Sequence, residues 1–183
     1  MPGVVRTRVG YAGGTQANPT YDNIGDHAEV LEVDFDPVRI SYDQLLETFW
    51  NSHSPFQEPW KRQYMSAILF HGSTQEEAAR LSHENASALL GRRLYTEIAP
   101  CDAFYLAEDY HQKFMLRRAP EVKAEVEALL PDHAAFVAST AVAKINGYVG
   151  GNGTLEDFNA DLPLLGLSEK ASTLLRRAYS RHS

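Results

Sequence analysis

Residues 4–14 read VVRTRVGYAGG and residues 27–36 read HAEVLEVDFD, and these two stretches decide the fold class. In the first, Val5, Thr7, Val9 and Tyr11 alternate with Val4, Arg6, Arg8 and Gly10, the period of a half-buried strand. Gly13-Gly14 ends it, and QANPTYDNIGD (16–26) is a polar loop punctuated by Asn18-Pro19 and Gly25. In the second stretch Glu29, Leu31, Val33 and Phe35 share one side, while Val30, Glu32 and Asp34 take the other. Asp36-Pro37 closes that strand.

Outward from this pair, Ser41 is placed to cap a helix whose Tyr42, Leu45, Leu46 and Phe49 form one apolar stripe. The Pro-containing loop NSHSPFQEPWKRQ (51–63) leads into YMSAILFH, which is apolar on both faces and predicts an interior strand. Ser73-Thr74-Gln75-Glu76 has capping-box spacing and predicts a long helix to about Leu90. Leu94 to Ile98 reads as a strand, and AFYLAEDYHQKFMLRR (103–118) as a short apolar stretch turning helical. Pro120 suits the first turn of EVKAEVEALL, and Pro131 starts a further helical piece. Strands come mostly early, with helices between and after them, which predicts an α+β two-layer domain rather than a doubly wound sheet.

A chain of 183 residues suits a single domain, 1–183, with a real core, and 44% hydrophobic with 22% charged residues is ordinary globular composition. A formal net charge of -7 argues against a nucleic-acid surface, which needs clustered Lys and Arg. No apolar run is long enough to span a bilayer. With Cys101 as the only cysteine, neither an intramolecular disulfide nor a cysteine-built zinc site is expected. A cytoplasmic monomer without metal or other cofactor is the expectation.

Glu29 is the most informative residue for chemistry. On the face of Leu31, Val33 and Phe35, a carboxylate is desolvated, which favours its neutral, protonated form. A neutral carboxylic acid can donate a hydrogen bond or a proton to a polar substrate oxygen. The plainer alternative is that the strand has not yet entered the sheet at Glu29 and the carboxylate is solvated. Tyr21 and Tyr64 sit at loop–strand junctions, where a phenol can aim its hydroxyl into a cleft while its ring packs. Singly each reads as a packing residue; convergence with Glu29 would change that.

Other constellations carry less. Glu108-Asp109-Tyr110-His111 contains one Glu-x-x-His, but carboxylate di-iron sites need two copies and two further carboxylates on four helices. It reads as a surface or structural polar cluster. His71 and His83 have no ligand partners in sequence. Cys101 and His111 could suggest a thiol dyad, yet the context APCDAFY supplies no cationic neighbour, and Asp102 disfavours the thiolate. Cys101 reads as a small semi-buried thiol. The glycine-rich NGYVGGNG (146–153) lacks the Lys-Ser/Thr of a P-loop and reads as a flexible loop.

Taken together, PGVVRTRVGYAGG, NPTY, GDHAEVLEVDFDP, ISYDQLL, FW, QYMSAI, TEIAPCDAFYLAEDYHQKF and NGYVGG occur in an order that resembles peptide methionine sulfoxide reductases of the A class. The resemblance runs from Pro2 to about Leu167. It implies a mixed, mainly antiparallel sheet on a ferredoxin-like core. It also implies reduction of the S epimer of methionine sulfoxide, free or in oxidised proteins, with thioredoxin as reductant. In that chemistry a cysteine thiolate attacks the sulfoxide sulfur while an acid protonates the oxygen, leaving a sulfenic acid. The family's catalytic acid falls on Glu29, and its two sulfoxide-positioning tyrosines fall on Tyr21 and Tyr64.

The chain also departs from the family. The family nucleophile lies in a Gly-Cys-Phe-Trp segment ahead of the Pro-Gly-Val stretch, and Cys101 does not match it. We therefore expect Met1 to be an internal methionine, with the first strand, the nucleophile and the aromatic residues around the substrate methyl belonging ahead of it. Pro59, with Glu58 beside it, replaces a family aspartate, and Met65 a common arginine. Val149 stands where some members carry a resolving cysteine. Two functions follow from these departures: a methionine sulfoxide reductase, or a catalytically inactive domain that binds oxidised methionine or serves a structural or interaction role.

Overall fold

In the computed structural model, which describes residues 1–181, strands and two helices alternate up to residue 106, and the described residues beyond are helical or loop. The alternating stretches form β1 (Val4–Ala12) and β2 (Ala28–Phe35), and β3 (Ala67–Phe70), β4 (Glu97–Pro100) and β5 (Phe104–Leu106) follow. The helices are α1 (Tyr42–Asn51), α2 (Ser73–Leu90), α3 (Pro120–Leu129), α4 (His133–Ala138), α5 (Thr140–Val149), α6 (Leu155–Asp161) and α7 (Glu169–Tyr179). One sheet has the order β2-β1-β5, with β5 antiparallel to β1; β3 and β4 form a parallel pair of their own. The class is α+β with mixed strand directions, as the pattern predicts.

Gly10 is what allows β5 to close on β1. Gly10 pairs with Leu106, and a Cβ at Gly10 would lie 2.3 Å from the Phe104 ring and 2.5 Å from the Tyr105 carbonyl oxygen. Backbone cannot yield at that spacing, so a glycine is required there.

Several sequence expectations are corrected. The stretch YMSAILFH yields only four strand residues, paired with β4 alone; Ile68 is buried with Leu46 of α1 and Ala79 of α2, Phe70 is buried, and Ala67 and Leu69 are half-buried. One of its apolar faces meets the helices through Ile68, and on the other Leu69 lies beside the Gly13 turn, so its two-sided apolarity does not mark a central place in the larger sheet. The strand expected at Leu94–Ile98 begins three residues later, at Glu97, and Leu94 is a buried loop residue. Helix α2 has the expected extent, but no capping box opens it. Its N-cap is Gly72 at φ +82, and the Gln75 side chain instead accepts the His71 N–H at 2.8 Å. The capping box forms at α1, where Ser41 and Gln44 bond each other's backbone N–H. The NGYVGG stretch is not a loop throughout, because Asn146–Val149 complete the last turn of α5.

The chain divides into two compact units. One comprises residues 9–32 and 37–108. Its small core is Leu46, Ile68 and Ala79, with Phe49, Trp50 and Ile98 packed on it. A hydrogen-bonded relay adds to this unit. The His53 Nδ1 faces the Phe49 carbonyl at 2.9 Å and therefore carries the proton, which leaves Nε2 to accept from Ser66 Oγ at 2.7 Å. Thr96 in turn donates to Ser66 at 2.8 Å, fixing the residue that precedes β3.

The second unit comprises residues 1–8, 33–36 and 109 onward. Its core is helical: Leu116, Val122, Val126, Phe136, Val142, Ile145, Phe158, Leu162 and Leu175 are all buried. Phe158 stacks on Tyr179 at 4.5 Å and meets Tyr148 edge-on at 5.0 Å. Asp161 accepts from both Lys144 and Tyr148 at 2.5 Å, and Tyr179 donates to the Gly153 carbonyl at 2.9 Å, which ties the glycine segment into the core. Val149 is buried in the same core. The Lys113 amine is buried too, donating to the Thr7 carbonyl at 2.6 Å; burial, then the charge of Arg8, lowers its pKa to about 8.

Candidate functional site

The site is built on the unit holding residues 9–32 and 37–108, beginning with the turn after β1. Gly13 adopts φ +76, and a Cβ on Gly14 would come 2.6 Å from the His27 backbone nitrogen. The compact turn lets the GDHAE segment fold against it. The Asp26 carboxylate accepts the Thr15 N–H at 2.8 and 2.9 Å, the Gln16 N–H at 3.2 Å and the Thr15 hydroxyl at 3.0 Å. His27 is buried, its Nδ1 accepting from the Gly14 N–H at 3.1 Å and its Nε2 donating to the Gln16 carbonyl at 2.8 Å. A ring nitrogen that accepts from an N–H and another that faces a carbonyl define the Nε2–H tautomer.

Those amide bonds, Thr15 first and then Gln16, hold the Asp26 pKa down to about 2 from 3.8. A carboxyl depressed in the folded state stabilises it above the unfolded value, and that contribution is lost as protons are added. Acidification from about pH 4 to pH 2 should therefore loosen the 13–27 loop, and Asp26→Asn should remove that part of the acid dependence. Amide hydrogen exchange at Thr15 and Gln16 as a function of pH reads the effect.

Arg62 joins this loop to the next element of the site. Its Nε donates to the Asp26 carbonyl at 2.6 Å, Nη2 to the Gly13 carbonyl at 2.9 Å, and Nη1 to Glu97 at 3.1 Å. The Arg62–Tyr64 turn is thus anchored, and its next two side chains both reach site residues. Gln63 is buried and its Nε2 donates to Glu29 Oε1 at 2.6 Å. The Tyr64 hydroxyl lies 3.4 Å from that of Tyr21. The bond with Tyr21 first, then desolvation and the charges of Tyr21 and Glu29, raise the Tyr64 pKa and keep its hydroxyl protonated. Glu29, Tyr21 and Tyr64, picked out from sequence separately, therefore occupy one neighbourhood.

The surroundings of Glu29 differ from the face argument that drew attention to it. Leu31, two positions along the strand, is 60% exposed, and the buried residue at the start of β2 is Ala28. The odd-numbered positions form no continuous core face, since Leu31 is exposed and Val33 and Phe35 are only half-buried. Glu29 is half-buried, and a buried amide holds it rather than an apolar pocket.

Glu108 and Gln63 belong to the site's frame and were not recognised from sequence. Glu108 accepts the Tyr21 backbone N–H at 3.0 Å and the Tyr11 hydroxyl at 2.6 Å, fixing the loop that carries the Tyr21 ring. Its place in Glu-x-x-His is incidental, and the reading of a structural polar cluster holds for this carboxylate. Among the described residues no three His, Cys, Asp or Glu side chains are grouped to hold a metal. Cys101 is half-buried, and burial, followed by the charges of Glu32 and Asp102, raises its thiol pKa. Among the described residues no helix is long and apolar enough to cross a membrane.

Two phenol hydroxyls 3.4 Å apart, with the Glu29 charge acting on one of them, can grip a small, strongly polar oxygen on a substrate. The family model described as peptide methionine sulfoxide reductase matches residues 1–145. A peptide methionine sulfoxide reductase of Drosophila melanogaster is 42% identical over 168 residues, covering 91% of this chain and 67% of that protein. The peptide methionine sulfoxide reductase A5 of Oryza sativa is 44% identical over 154 residues, covering 81% of this chain but 60% of the relative. Among solved structures, methionine sulfoxide reductase A of Corynebacterium diphtheriae superposes with a TM-score of 0.58 at 35% identity, covering 66% of each chain. The chain belongs to the peptide methionine sulfoxide reductases, enzymes that reduce methionine sulfoxide, and within them to the A class.

Proposed function

We propose that this chain binds the S epimer of methionine sulfoxide, free or in oxidised proteins, with Tyr21 and Tyr64 holding the sulfoxide oxygen and Glu29 delivering its proton. The observation that carries the proposal is the pair of tyrosine hydroxyls 3.4 Å apart, with the Glu29 charge acting on Tyr64. Protonation of the oxygen makes the sulfur more electrophilic, and thiolate attack then breaks the S–O bond. In net terms methionine sulfoxide and one thiol give methionine and a sulfenic acid. A second thiol, supplied by a dithiol protein such as thioredoxin, condenses with the sulfenic acid to a disulfide and releases water.

Cys101 is not assigned the role of attacking thiolate in this reading. Burial, Glu32 and Asp102 all favour the Cys101 thiol over its thiolate, the reverse of what a nucleophile requires. The polypeptide of residues 1–183 is accordingly expected to bind methionine sulfoxide without reducing dabsyl-methionine sulfoxide in dithiothreitol. Turnover that disappears in Cys101→Ser would make Cys101 the nucleophile and overturn this assignment.

A further inference from the structure

Trp60 is 78% exposed, although indoles are costly to leave in water, and it lies beside the site. Its ring centroid is 5.2 Å from that of Tyr64 at an interplanar angle of 33°. The other tryptophan, Trp50, is half-buried and donates its Nε1–H to Ser82 at 3.1 Å, so it has an evident structural place. Trp60 has none of that kind. It sits in the loop just before the anchored Arg62–Tyr64 turn, and the Lys61 ammonium is 5.7 Å from its ring centroid. Tyr64 is 45% exposed, so the aromatic surface runs from the hydroxyl pair outward onto the indole.

We infer that Trp60 is the rim residue that recognises the polypeptide flanking an oxidised methionine, and so makes the site selective for peptide-bound over free methionine sulfoxide. The inference rests on the reading of Glu29, Tyr21 and Tyr64 as the sulfoxide site. In methionine sulfoxide the main chain is only a few bonds from the sulfoxide oxygen, so a residue gripped at the two hydroxyls keeps its backbone within reach of the ring packed beside Tyr64. An exposed indole offers a broad rigid face to an apolar neighbour at low entropic cost. A free amino acid has nothing to lay on that face. Trp60 thus acts on selectivity, with no part in proton delivery.

The test is calorimetric titration with three probes: free methionine (S)-sulfoxide, a blocked pentapeptide with leucines flanking one methionine (S)-sulfoxide, and the same pentapeptide with unoxidised methionine. The wild-type chain is expected to bind the oxidised peptide more tightly than the free amino acid. Trp60→Ala should weaken the peptide roughly five- to tenfold and leave the free amino acid unchanged, while Trp60→Phe should keep most of the advantage. Equal weakening of both sulfoxides, or of neither, in Trp60→Ala overturns the inference and leaves the sulfoxide site standing. Failure of the wild-type chain to distinguish oxidised from unoxidised peptide overturns both.

Discussion

Removing both hydroxyls of the tyrosine pair, in Tyr21→Phe/Tyr64→Phe, is expected to weaken binding of N-acetyl-methionine (S)-sulfoxide amide roughly 5- to 150-fold, from two hydrogen bonds of about 0.5–1.5 kcal/mol each. The rings remain, so packing is preserved. The two hydroxyls face each other on a partly exposed surface, 3.4 Å apart, so the fold should melt at nearly the same temperature. Each single variant should show a part of the loss, and the losses need not add, because the hydroxyls are in contact. Glu29→Gln separates binding from chemistry. A glutamine can still accept from Gln63 and still donate to an oxygen, so affinity should persist while proton delivery is lost.

The second large effect is structural. Phe158→Ala should destabilise the unit containing residues 109 onward by about 3–5 kcal/mol, the range for emptying a buried phenylalanine site. Phe158 is buried, stacked on Tyr179 and edge-on to Tyr148, so its loss opens a cavity between two aromatic rings that also hold Gly153 and Asp161. The midpoint of urea unfolding, followed by tyrosine fluorescence, measures it. A loss under about 1 kcal/mol would mean that the neighbours collapse into the space.

Local signals were readable wherever short-range chemistry governs. Period two located β1 and β2, and Ser41 with Gln44 forms a complete capping box. The same spacing at Ser73 misled, because Gly72 at φ +82 turns the chain into α2 and Gln75 bonds backward to His71. Capping-box residues are only competent to cap; the backbone entering the helix decides whether they do. Alternation also located Glu29, but for an incomplete reason. Leu31 shares its parity and is exposed, which no count along one strand can reveal, since it depends on what the rest of the chain packs over that face.

The site's frame was the least legible part. Glu108 meets Tyr21 and Tyr11 across 87 and 97 residues, and Gln63 meets Glu29 across 34. Such contacts leave no periodic trace in a single sequence. Glu29 was singled out by alternation and Tyr21 and Tyr64 by their loop–strand positions, the family resemblance then grouped them, and the hydrogen bonds show how the fold gathers them. Asp26, His27 and Arg62 knit the glycine turn to the Arg62–Tyr64 turn, so Tyr64 follows from bonds made by its neighbours.

The most direct test of the proposed site is a titration of the chain, with ¹³C-labelled tyrosine rings, by N-acetyl-methionine (S)-sulfoxide amide. The S sulfoxide should shift the Tyr21 and Tyr64 resonances together and saturably, with the R epimer and unoxidised methionine far weaker. Equal shifts from sulfoxide and sulfide, or saturable binding that leaves both tyrosines unmoved, would contradict the assignment of Tyr21 and Tyr64 to the sulfoxide oxygen.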